Sequence, residues 1–178
     1  FNYIKHTNIL IHKERVVIMK DLMAQFKRTV DNGSQEDIQI LSQFLDNLEK
    51  KQAGGFTTYL SAALGMERER QNDSWTVSIP NTPFIHNNID IPHGGILAVL
   101  LDTAMGTLAN SKCPEGYGAV TTNLAIHYLT VATEETITAE ANIIRQGRHT
   151  MVIEGNIYET GGKHIATSTG SFFIVPKT

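Results

Sequence analysis

One acid stands in an apolar run. Residues 93–110 read HGGILAVLLDTAMGTLAN, and Asp102 is the single acid among them. A carboxylate taken out of water without partners is costly, so it is normally protonated or hydrogen-bonded. Two roles fit such a residue. It is an acid capped by Ser or Thr hydroxyls or facing water at a helix edge, or it is a general base or nucleophile in a partly dry pocket. At the start of the run stands His93-Gly94-Gly95. The first N–H groups of a helix lack internal partners and sit at the positive end of its dipole. Glycines there let a ligand come close to the backbone. Such a start suits the oxygen of a carbonyl that is gaining negative charge.

Distance constrains how the two features cooperate. Asp102 follows Gly94 by eight positions. At the rise of an α-helix the gap along the axis is about 12 Å. One small reacting group cannot touch both on one straight helix. If both act on one carbonyl, they come from different chains. A two-fold contact that sets one helix start beside the other chain's Asp102 would build two equal composite sites.

The elements that must position these residues are legible from periodicity. The run from Gly94 to Ala109 has almost no polar face, which predicts a buried helix. Four strand-like segments follow: Ala119–Val131, Thr136–Arg145, His149–Glu159 and His164–Val175. Their links are short and polar, which fits antiparallel neighbours, because parallel pairs need long crossovers. Upstream, Met66–Gln71 and Trp75–Pro80 read as two short strands around Asn72-Asp73, after a short helix over Thr57–Leu64. The expected class is α+β, an antiparallel sheet wrapped around one long central helix.

The character changes near Gly54-Gly55. Before it, Val17, Leu22, Met23, Phe26 and Val30 recur at helical spacing. Asn32-Gly33 is a stop, Ser34 with Asp37 a capping-box start, and Ile38, Leu41, Phe44, Leu45 and Leu48 one face of a second helix. Residues 1–53 are therefore expected to form a helical extension for packing or oligomerisation, and 54–178 a separate domain.

The 178 residues are 41% hydrophobic and 19% charged, the balance of a globular chain. A net charge of −3 predicts no nucleic-acid partner. No apolar stretch is long enough for a membrane span, and residues 1–20 lack the pattern of a signal peptide. Cys113 is the only cysteine, which excludes an internal disulfide and suits a reducing, cytoplasmic setting. The seven histidines show no ligand spacing, so no metal is expected. There is no G-x-S-x-G elbow and no dinucleotide-type glycine loop.

Asn87, then His93-Gly94-Gly95, then Asp102, Thr121-Thr122 and Tyr128-Leu129, resemble the hotdog-fold acyl-CoA thioesterases, in particular the PaaI-like (phenylacetate-pathway) branch. The resemblance covers about residues 56–175. It implies hydrolysis of a coenzyme A thioester with no further cofactor, by a homodimer or dimer of dimers with sites at the interface. It also implies roles: Asp102 as base or nucleophile, and Gly94 N–H as donor to the thioester carbonyl. His93 and Asn87 would support thioester and water, and Thr121 or Thr122 would place the water. Two positions depart from the pattern: Asp90 stands where a glycine is common, and Thr130-Val131-Ala132 follows Tyr128-Leu129 without the usual proline. For the nucleotide phosphates, Arg145, Arg148, His149 and Lys163 are expected near one another at strand ends, with Arg148 as the contact. The alternatives are a non-catalytic acyl-CoA-binding module and a hydratase on the same fold. The latter would need an Asp and a His a few residues apart in a polar loop, a pattern this sequence lacks.

Overall fold

A computed structural model describes the backbone of residues 2–177 and the side chains of residues 16–177. His6, His12 and the other side chains up to Arg15 lie outside the described residues. The chain divides into two compact units, Phe1–Gln43 and Phe44–Thr178.

The first unit holds α1 (Asn2–Asn32) and the first turns of α2 (Gln35–Gln52). The expected cap is present. Asp37 N–H donates to Ser34 Oγ at 3.1 Å, and Ser34 N–H donates to Asp37 Oδ2 at 2.8 Å. The Ser34 hydroxyl, donating to Asp37 Oδ2 at 2.7 Å, and then the Ser34 N–H hold the Asp37 carboxyl below its usual range. The division between units falls within α2, before the change of sequence character at Gly54-Gly55. The last turns of α2 belong to the second unit, where Asn47 is buried and its Nδ2 lies 3.3 Å from where a Cβ on Gly65 would stand.

The second unit continues with α3 (Tyr59–Ala63), β1 (Glu67–Gln71), β2 (Ser74–Pro80), a 3-10 turn (Pro83–Ile85) and α4 (Gly94–Ser111). It ends with β3 (Tyr117–Tyr128), β4 (Thr136–Gln146), β5 (Thr150–Glu159) and β6 (His164–Pro176). All pairings are antiparallel, in the order β1-β2-β4-β5-β6-β3. The first of the long strands ends at Tyr128, not Val131, because Leu129 and Thr130 both turn their N–H groups onto the Ile165 carbonyl.

The inner face of the sheet follows the two-residue period. Ile137, Ala139 and Ala141 of β4 and Met151, Ile153 and Ile157 of β5 are buried against Leu97, Leu100, Leu101, Ala104, Met105 and Leu108 of α4. Two glycines let the helix sit close. A Cβ on Gly155 would lie 2.8 Å from Ser168 Oγ and 3.1 Å from Leu101 and Met105, and one on Gly170 would lie 3.2 Å from Met105.

The expectation of all-round burial for α4 needs correction. The sheet covers one side only. Ile96, Val99, Asp102, Thr103 and Gly106 stay half-exposed on a second stripe. The two sheet edges also differ. β1 reads ERERQ, whereas β3 reads YGAVTTNLAIHY with no acid, Lys or Arg.

Candidate active site

Asp102 sits in the middle of α4 on the half-exposed stripe. Thr121 Oγ1, from edge strand β3, donates to Asp102 Oδ1 at 2.8 Å. Oδ2 makes no hydrogen bond among the described residues and is free to accept a proton. Thr122 is the next residue, but the β3–β6 register slips between Thr121 and Asn123. Its hydroxyl turns away and donates to the Ser171 carbonyl at 3.0 Å. Of the two adjacent threonines, only Thr121 reaches the acid.

The helix start is a second centre. His93 is the N-cap of α4, with φ −66° and ψ 129°, and its Nδ1 accepts the Gly95 N–H at 2.9 Å. The lone pair on Nδ1 is thereby used, which leaves the ring proton of a neutral imidazole on Nε2. Gly94 N–H donates to no acceptor among the described residues. Tyr128 Oη donates to the Gly94 carbonyl at 2.8 Å.

Gly94 opens onto a cleft of about 330 Å³, lined by Asn87, Ile91, Pro92, Leu97 and residues 128–132. Asn87 is fixed by its loop. Its N–H donates to the Ile91 carbonyl at 2.9 Å, and its Oδ1 accepts the Ile89 N–H at 3.0 Å. Its Nδ2 has no partner among the described residues. The turn needs a left-handed residue, and Asp90 takes it with φ 57°. A short polar side chain tolerates that conformation better than most. The departure from glycine at this position therefore leaves the loop intact.

The cleft wall is held from behind. Thr133 and Glu134 N–H groups donate to Glu159 Oε2, and Lys163 Nζ lies 2.6 Å from Glu159 Oε1. Burial works against the charge on Glu159. The Lys163 ammonium and the two N–H groups outweigh it, and the carboxyl is held below the usual range. Asn81 ties the same loop to the 3-10 turn region, donating from Nδ2 to the Glu134 carbonyl at 2.9 Å.

Asp102 and Gly94 do not share a cleft within one chain, as their spacing along the helix requires. The basic residues differ from expectation. Lys163 lies at the opposite end of β5 from Arg145, Arg148 and His149, so the expected basic cluster does not form. Arg148 is exposed in the β4–β5 turn, outside the cleft. Burial pushes the Cys113 thiol up, away from the thiolate a nucleophile needs. The described residues hold no cluster of metal ligands, and no helix among them is long and apolar enough to cross a membrane. The bond of Tyr128 to the helix start and the hold of Glu159 on the cleft wall are not written in the sequence pattern. The two-residue period places Tyr128 on the same face as Leu124 and Ile126, but nothing in sequence announces its bond to Gly94.

An antiparallel six-stranded sheet packed on one long helix is the architecture of the hotdog fold. Residues 91–166 match the family model of the thioesterase superfamily. Among solved structures, the BH2602 protein from Bacillus halodurans, crystallised with CoA, is 35% identical with a TM-score of 0.81. The match covers 86% of this chain and 99% of that one. The PaaI protein of the E. coli phenylacetic acid degradation operon is 25% identical with a TM-score of 0.63, over 76% and 98% of the two chains. The thioesterase HI1161 from Haemophilus influenzae shares the fold at 20% identity, with a TM-score of 0.64 over 66% and 82%. No curated protein matches the chain. The chain belongs to the thioesterase superfamily and is a thioester hydrolase of the hotdog fold.

Proposed function

We propose that the protein hydrolyses acyl-CoA thioesters at sites built by two copies of the chain. The observation that carries this is the Asp102 carboxylate, half-buried in an apolar helix, held by Thr121 through one oxygen and open at the other. An acid so placed can take a proton from water, or attack the acyl carbon itself. The co-crystal of the Bacillus halodurans relative with CoA supports the substrate class.

The composite site follows from β3. Asp102 is reached from Thr121 near one part of this strand, and Gly94 from Tyr128 at its end. Antiparallel pairing of two β3 edges, centred near Leu124, sets Thr121 of one copy opposite Tyr128 of the other. Asp102 then comes beside the partner's helix start. β3 is the edge without charges, and the half-exposed stripe of α4 lies on the same side as Asp102. Both features favour contact with a second copy.

In this site the thioester carbonyl accepts a hydrogen bond from Gly94 N–H; Asn87 Nδ2 from the cleft wall and His93 Nε2–H are assigned as further donors. Asp102 of the partner copy, steadied by Thr121, activates the water or forms an anhydride that water opens. The acyl group occupies the cleft walled by residues 128–132. We assign Arg148, exposed and in no ion pair among the described residues, to the nucleotide phosphates.

Release of free thiol from acetyl-, hexanoyl-, palmitoyl- and phenylacetyl-CoA tests the reading. The wild-type protein is expected to turn over at least one of them. Asp102→Asn is expected to fold and to lose about 100-fold or more in kcat. Near-wild-type hydrolysis by that variant would refute the assignment. Binding of acyl-CoA without thiol release would favour a non-catalytic module.

A further inference from the structure

We infer that Tyr128 is a positioning residue that sets the oxyanion site through one peptide unit. The inference rests on the thioester-hydrolase site proposed above. The peptide joining Gly94 and Gly95 is held at both ends. Its carbonyl accepts the Tyr128 hydroxyl at 2.8 Å, and its N–H donates to His93 Nδ1 at 2.9 Å. A helical carbonyl already has a backbone donor, so the phenol is a second bond on the same oxygen. Hydrogen bonds in series polarise one another, and a carbonyl bonded more strongly makes its own N–H a better donor. The Tyr128 hydroxyl thus strengthens the grip on His93 and holds its proton on Nε2, facing outward from the cap.

The same bond fixes the plane of the first helical turn, the part of a helix most prone to fray. Gly94 N–H belongs to the preceding peptide, and its aim depends on that plane. The ring also covers the Gly94 Cα. A Cβ there would stand 3.4 Å from Tyr128 Cζ. Tyr128 touches the glycine whose amide is to meet the substrate, but its hydroxyl is already committed to the backbone. It therefore acts through Gly94 and His93 and not on the thioester itself.

Tyr128→Phe removes the hydroxyl and keeps the ring that walls the cleft. With the responsive acyl-CoA of the four above, kcat is expected to fall about tenfold or more, with KM within about twofold. The second readout is the His93 ring tautomer, from long-range proton–nitrogen NMR correlations assigned with His93→Gln. Wild-type His93 is expected in the Nε2–H form, and the Phe variant in a mixture of both neutral forms. An unchanged tautomer, an unchanged kcat, or an effect confined to KM overturns the inference while leaving thioester hydrolysis standing. If wild-type protein releases thiol from none of the four, the proposed function fails, and the tautomer comparison alone decides whether the phenol grips the cap.

Discussion

Proline at position 94 removes the proposed oxyanion donor and sets Cδ in place of its hydrogen. Gly94 is the first residue of α4, where a proline is tolerated because its missing N–H has no helical partner. The residue before a proline must be extended, and His93 already has φ −66° and ψ 129°. Gly94→Pro is therefore expected to keep the fold, with its ring packed against Tyr128, while losing the Gly94 N–H. Removal of an oxyanion donor costs about 2.7–4 kcal/mol, or about 100- to 1000-fold in kcat. Steady-state thiol release beside a thermal melt checks this, and full activity would remove Gly94 N–H from the mechanism. At this scale Asp102 stands out in sequence because a lone acid in an apolar run is unusual, whereas glycines at a helix start are ordinary, and His93 and Gly94 gain their roles from the resemblance. The choice between Thr121 and Thr122 is not legible. Both lie in an alternating strand, and a register slip at Thr121/Asn123 decides which one faces the helix.

The segment from Leu129 to Glu135 is an element without regular structure, and its anchor is Glu159. Glu159→Gln removes the charge that accepts from Thr133, Glu134 and Lys163. It is expected to cost about 1–3 kcal/mol at neutral pH, since the amide keeps one acceptor oxygen and sets its NH2 against a donor, Lys163 or the two loop N–H groups, at the other. The folded-state value of this carboxyl is depressed. Its contribution is thus present above the ordinary glutamate value of about 4.3 and is lost as pH falls through the folded value. Denaturant melts over falling pH are expected to show wild type losing its advantage over Glu159→Gln below that range; a constant gap would contradict the linkage. The regular elements fall close to where periodicity places them, since α4 and the strands are written in apolar spacing. This loop is different. Periodicity extends a strand through Val131 and leaves Ala132–Glu135 as a polar link, because the order of this loop comes from a partner at the end of β5, far along the chain.

For the whole molecule, the proposed composite site makes a sharp prediction for mixed assemblies. Asp102→Asn and Gly94→Pro should each be inactive alone. Unfolded together and refolded at equal amounts, they give mixed dimers in which one site carries both lesions and the other carries none. About a quarter of wild-type activity is expected from random two-fold pairing. No recovery would place both groups in one chain. Single-chain reading reaches this idea through the 12 Å gap between Gly94 and Asp102. It does not say which surface joins, because that depends on which strand ends at the sheet edge. The order β1-β2-β4-β5-β6-β3 puts the first strand after the helix there, although it comes third in the chain.

The contrast between the margins of the sheet also limits growth. In the proposed dimer joined along β3, each outer border of the joined sheet is a five-residue strand, ERERQ. Short, charged borders resist further docking, because their ions would have to shed water. Addition by edges therefore terminates after one round, and a ribbon that could lengthen into a fibre is avoided at the level of primary structure.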